Sequence, residues 1–281
     1  MRARRRLGEV TIKAQEYETR SSDRWENLPR EAISIMGGMS CSDHESGSAV
    51  VSRRNAGGGV CRLRQCEAWV FDLDNTLYPA SLNLFPQIDQ RMKTFIARAL
   101  NLEPEDALRL QKKYYLDYGT TLRGLMLCHD LDPEEFLDYV HTIDHSVLES
   151  NPVLDDALAA LPGRKLVFTN GPEAHAINVL ACLGVERHFE AIFDIRAAGY
   201  IPKPDPQTYQ RLVVRHRIQP ERTVMVEDTL QNLRPAAAIG MTTVWLRPAV
   251  PDDPPSWDSD TSHCHYIIDD LPVWLAGRAI G

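Results

Sequence analysis

Short apolar runs of strand length alternate with helical stretches over most of this chain, which predicts an α/β fold built on a doubly wound, Rossmann-like parallel sheet. Two further observations refine that reading. About a hundred residues after the first run carry helical periodicity only, which predicts a helical cap subdomain inserted into the core. Polar and acidic residues also gather just after several runs, at the carboxyl ends of the expected strands, where sheets of this kind hold their ligands.

The first expected strand is Ala68–Phe71 (AWVF), followed by residues 166–169 (LVFT), residues 223–226 (TVMV), Thr242–Leu246 (TTVWL) and Tyr266–Ile268. Continuous rather than alternating hydrophobicity marks strands covered on both faces. Helices are expected over Glu173–Leu183, stopped by Gly184, and over residues 206–217. In the insert, Ile88, Met92, Phe95, Ile96 and Ala99 keep one-face spacing. A second helix is expected over residues 104–115. A third follows Asp132-Pro133, a cap residue with proline in the first turn, and carries Phe136, Leu137 and Val140. The resulting division is a core of residues 66–78 and 152–275 with a cap over residues 79–151.

Residues 1–65 differ in kind. They hold twelve Lys and Arg against eight Asp and Glu, whereas the remainder holds nineteen against thirty-one. Ser, Gly and Arg dominate and apolar periodicity is poor, so disorder is expected there. The basic start Met1 to Arg6 leaves a targeting peptide open, although no apolar segment follows; a start at Met36 or Met39 is also left open. The formal charge of −8 argues against nucleic acid or a membrane surface as partner. Six cysteines without a CxxC pair are expected to be free thiols in the cytoplasm. His263-Cys264-His265 is read as surface chemistry rather than a metal site.

The chemistry sits at the strand ends. Phe71-Asp72-Leu73-Asp74 places two carboxylates on the same side of an extended chain, and two such charges need a cation between them or a shared proton. That pairing suits phosphoryl transfer, with one carboxylate attacking and the other handling protons. A calcium loop is excluded, because Thr76, Leu77 and Asn83 occupy the positions where such a loop needs an acid, a glycine and a glutamate. Thr169-Asn170-Gly171 offers a hydroxyl and backbone N–H groups before a helix. Lys203, between Pro202 and Pro204, offers a rigidly aimed point charge. Glu227-Asp228 ends the next strand with carboxylates suited to an octahedral Mg²⁺ shell.

Four signals in this order resemble the haloacid dehalogenase-like hydrolase superfamily, over about residues 68–271. The resemblance implies a Mg²⁺-dependent phosphomonoesterase with Asp72 as nucleophile and metal ligand. Asp74 is then general acid and base, also lending its backbone carbonyl to the metal. Thr169 and Asn170 bind the phosphoryl group, Lys203 stabilises its charge, and Asp228 completes the metal ligands with Glu227 in support through water. Asn232 stands where a second acid is often found. Asp74 favours phosphate over carbon as the centre attacked.

The runs Asp74-Asn75-Thr76-Leu77-Tyr78-Pro79, residues 114–122 (YYLDYGTTL) and Thr169 to His175 further resemble the pyrimidine 5′-nucleotidase subgroup, implying UMP or CMP as substrate. Tyr114, Tyr115 or Tyr118 is then expected either to stack on a base or to pack cap helices together. Phosphoglycolate, a sugar phosphate, a phosphomutase reaction and a catalytically idle binding protein are the competing readings.

Overall fold

The computed structural model describes residues 52–53, 63, 66–248 and 260–279. Apart from residues 52–53 and 63, the segment expected to be disordered lies outside the described residues. Six parallel strands form the sheet: β2 (Ala68–Phe71), β3 (Arg164–Phe168), β4 (Ala191–Phe193), β5 (Thr223–Glu227), β6 (Thr242–Leu246) and β7 (Tyr266–Ile268). The two-residue β1 (Ser52–Arg53) pairs antiparallel with β7 at one edge. The order is β1-β7-β6-β5-β2-β3-β4, so the chain winds outward in both directions from β2 and reverses between β2 and β5. That reversal is the crevice where α/β sheets hold ligands.

Strand periodicity explains the double layer. Trp69 and Phe71 enter one buried cluster with Val167, Val224 and Val226, whereas Ala68 and Val70 enter the other with Leu166, Phe168 and Met225. The first cluster is covered by α5 (Pro152–Ala160), α6 (Glu173–Leu183) and α9 (Leu271–Ala279). The second is covered by α7 (Pro206–His216) and α8 (Leu233–Ala238). Sheets buried on both faces draw their stability from this apolar area, at roughly 25 cal/mol per Å².

Between β2 and β3 lie α1 (Leu84–Leu100), α2 (Pro104–Tyr118), α3 (Thr121–His129) and α4 (Pro133–Val140). They share a third cluster around Phe95, Ile96, Leu125 and Phe136. The Asp132 side chain accepts from Glu134 N at 2.9 Å and Pro133 fills the first turn, the start that the dipeptide predicts. Helix α3 has no counterpart in the sequence reading. It starts two residues after Gly119 ends α2 at φ +83°, with Thr120 between as its cap, so two helices adjoin with no polar stretch to announce the break. A Cβ on Gly124 would lie 2.4 Å from the Tyr114 ring, so glycine is what lets α3 close on α2.

His263-Cys264-His265 is a surface feature only in part, because its two histidines are half-buried and its cysteine is not exposed. Cys264 is fully buried in the second cluster, His263 bonds Leu230 O and His265 meets Thr243, all packing the chain against β6. Cys128 and Cys182 are free thiols. Among the described residues no helix is long and apolar enough to cross a membrane.

Candidate active site

The parallel register builds the site. Phe71 pairs with Val226 on one side and Val167 on the other, so the next residue of each strand brings Asp72 beside Glu227 and Phe168. Asp72 N continues the ladder to Val226 O at 2.9 Å. One ligand oxygen each from Asp72, Glu227 and Asp228 lie within 4.8 Å of one another. Into this acidic crevice comes Lys203, 2 % exposed, with Nζ at 2.6 Å from Asp72 Oδ1, 2.7 Å from Glu227 Oε2 and 3.0 Å from Phe168 O. All three donor sites of the ammonium are thereby used.

The electrostatics follow from the buried Asp72 and Glu227 carboxylates held on one ammonium, with the half-buried Asp228 beside them. Burial, then the Glu227 carboxylate, push the Asp72 carboxyl up to about 7, with Lys203 acting against both. Burial, then Glu227 and Asp72, raise Asp228 well above the carboxylate range. Burial opposes the charge of Lys203, but Asp72 and Glu227 outweigh it and raise its pKa. Hard oxygen donors in excess of the local positive charge are a fitting donor set for a divalent cation.

Asp74 is turned elsewhere. Its Oδ1 accepts from Tyr78 OH at 2.6 Å and from the buried His175 at 2.8 Å. Burial would raise this carboxyl, yet the charge and hydrogen bond of His175, helped by Tyr78, hold it down at about 2. Its side chain is therefore absent from the acid cluster, and Glu227, expected to act through water, lies within it.

The turn after β2 explains both hydrogen bonds. Leu77 N bonds Leu73 O at 3.0 Å and Asn75 sits at φ 62°, a single helix-like turn. Residues four apart then face each other, so Thr76 Oγ1 donates to Asp72 Oδ2 at 3.1 Å just as Tyr78 meets Asp74.

Thr169 lies at the end of β3, 2 % exposed, its Oγ1 accepting from Gly171 N at 2.9 Å. Asn170 does something other than expected. Its Oδ1 accepts from Lys203 N at 2.8 Å and its Nδ2 donates to Lys203 O at 3.4 Å, so the amide fixes the backbone from which the lysine projects. The Lys203-Pro204 bond is cis.

Tyr78, His175, His141 and His145 were not singled out by sequence reasoning. His175 Nδ1 lies 3.2 Å from His145 Nε2, and the His141 ring stands 5.2 Å from that of His175. The four-residue spacing of Thr76 and Tyr78 from the two aspartates is the signal that could have found them. The histidines, brought in from beyond α4, gave no such local signal.

Fold and site together define a doubly wound α/β protein whose crossover crevice gathers three carboxylates and a buried lysine. Residues 66–240 match the haloacid dehalogenase-like hydrolase family, and the chain belongs to it. It is 28 % identical over 193 residues to "Phosphate metabolism protein 8" of Saccharomyces cerevisiae, a match covering 62 % of this chain and 60 % of that protein. It is also 28 % identical to a "Glyceraldehyde 3-phosphate phosphatase" of Methanocaldococcus jannaschii, over 62 % of this chain and 82 % of the relative. Among solved structures, a HAD phosphatase from Thermococcus onnurineus shares the fold with a TM-score of 0.51 at 20 % identity, covering 76 % of this chain and 98 % of that one.

Proposed function

We propose that this protein is a Mg²⁺-dependent phosphomonoesterase working through an aspartyl-phosphate on Asp72. The observation that carries the reading is the buried contact of Lys203 Nζ with both Asp72 and Glu227, beside Asp228 at the sheet crossover. A lysine so placed neutralises an arriving phosphate without moving. Asp72, Glu227 and Asp228 would hold the metal, with the Asp74 backbone carbonyl as a further ligand. When bound, the ion supplies positive charge to the phosphoryl oxygens.

Asp72 attacks phosphorus, and the bond to the leaving oxygen breaks as the bond to the carboxylate forms. Asp74 delivers a proton to that oxygen. Its resting carboxyl is ionised, so it first takes up a proton from solvent as the negative charge of the arriving substrate raises it. Asp74 then takes a proton from the water that hydrolyses the acyl phosphate. The Thr169 hydroxyl, fixed as acceptor of the Gly171 N–H, donates its own hydrogen to a phosphoryl oxygen, and Asn170 serves by fixing Lys203. Helices α1–α4 act as the cap over residues 79–151, excluding water from the reaction.

For the substrate we propose a small phosphate ester, with pyrimidine nucleoside monophosphates first on the strength of the three sequence runs. Tyr114 does not read the base in this scheme. It is 7 % exposed within the third cluster and its OH meets His129 at 2.7 Å, so it packs helices together. The Methanocaldococcus and Methanopyrus kandleri relatives, both named for glyceraldehyde 3-phosphate, favour a phosphorylated carbohydrate as the second reading.

Phosphate release measured over a panel of UMP, CMP, glyceraldehyde 3-phosphate, sugar phosphates and phosphoglycolate, with and without Mg²⁺, tests both. Release from none of them sinks the phosphatase reading. Asp72→Asn should abolish release in a folded protein, and near-wild-type turnover would refute Asp72 as nucleophile.

A further inference from the structure

Asp74 Oδ1 takes two donors, Tyr78 OH at 2.6 Å and His175 Nε2 at 2.8 Å, while Oδ2 has no protein partner among the described residues. Oδ1 accepts from Tyr78 OH, and from His175 in the tautomer that carries its hydrogen on Nε2, whether or not Oδ2 holds a proton. The histidine is itself held. It is 1 % exposed, and its Nδ1 stands 3.2 Å from His145 Nε2, on the chain leading out of α4.

We propose that His175 and Tyr78 are positioning residues that saturate one oxygen of Asp74 and turn the other toward the leaving group. With Oδ1 occupied, the proton Asp74 delivers sits on Oδ2. In the first step the Oδ2–H bond breaks as the leaving oxygen gains that hydrogen. The phosphorus–oxygen bond to the leaving group breaks as the bond to Asp72 forms. In the second step Oδ2 receives the proton of the attacking water. Loss of either donor lets the carboxylate rotate and present the wrong oxygen for part of the time. This inference rests on the phosphomonoesterase reading.

Leaving-group dependence separates positioning from structure. p-Nitrophenolate departs without a proton, whereas an alkoxide needs one, and kcat/KM reports the step in which it leaves. In the full chain with Mg²⁺, His175→Leu should lower kcat/KM for glycerol phosphate by about 10²-fold, and for p-nitrophenyl phosphate by less than about fivefold. His175→Gln, which keeps an N–H near the Nε2 position, should regain about tenfold of the loss on glycerol phosphate. Tyr78→Phe removes one oxygen and should show the same differential, smaller in size, which decides the matter if His175→Leu does not fold. Equal losses on the two esters, or no loss in Tyr78→Phe, overturn the inference. A wild-type protein that hydrolyses neither ester overturns the phosphatase reading instead, before any variant is compared.

Discussion

Lys203 Nζ lies 2.6 Å from Asp72 Oδ1 across 131 residues of sequence, and the same nitrogen lies 2.7 Å from Glu227. A lysine buried to this degree is stable only while its carboxylates are present, and the reverse holds equally. Lys203→Met therefore leaves two buried carboxylates without their cation. Unfolding in urea should show a loss of about 3–5 kcal/mol in metal-free buffer, with part of it recovered in Mg²⁺. On the proposed reading, turnover should fall at least about 10²-fold, because the charge assigned to the phosphoryl group is gone. A variant as stable as wild type would show that the three groups are not electrostatically bound together.

The acid cluster predicts a metal-linked stability. Like-charge repulsion among Asp72, Glu227 and Asp228 is relieved when a divalent cation joins them, so binding to the folded chain raises the melting temperature. At a hundred times Kd the stabilisation is about 2.7 kcal/mol, or roughly 5 °C or more for a domain of this size. Asp228→Asn should abolish that Mg²⁺ shift while leaving the metal-free melting temperature unchanged or higher, since one of three crowded charges is removed. Differential scanning calorimetry with and without Mg²⁺ checks both halves. An undiminished shift in the variant would place the ion elsewhere.

What the sequence made legible was whatever local spacing encodes. Runs such as AWVF and TVMV are strands because nothing polar interrupts them, and Asp72, Asp74, Thr169, Lys203, Glu227 and Asp228 stand at or just beyond the ends of such runs or in the proline-fixed loop. Parallel register then brings Asp72 beside Glu227 and the end of β3, so strand-end position sufficed for those residues, whereas Lys203 arrives on its loop and Asp74 turns away. Features made by contacts between distant segments were not legible. The Asn170 side chain could have faced substrate or backbone, and only the approach of the Lys203 loop decides it. Helix α3 escaped because Gly119 and Thr120 end one helix and begin the next in two residues. The histidines near Asp74 come from α6 and from the chain beyond α4, a pairing that no periodicity announces.

Those histidines also predict how stability responds to acid. His141 packs against His175, donates Nδ1–H to Leu137 O, and is faced by Asp74 and Arg196. Burial first, then the neighbouring His175, push it down to about 4, with Leu137 O and Asp74 acting weakly the other way. A base whose folded pKa is depressed stays neutral in the native state over a range where the unfolded chain takes up a proton. The unfolded state therefore binds more protons between pH 6.5 and about 4, so stability rises with pH across that window and is lost as pH falls through it; below pH 4 the loss is complete. The difference in unfolding free energy between pH 7.5 and 4.5 should be smaller in His141→Gln than in wild type by about 2 kcal/mol. Urea titrations at the two values measure it, and comparing the two proteins cancels the acid response of groups remote from His141. Parallel losses in both would mean that His141 is solvated in the folded chain, and that the end of α4 does not close on His175 of α6.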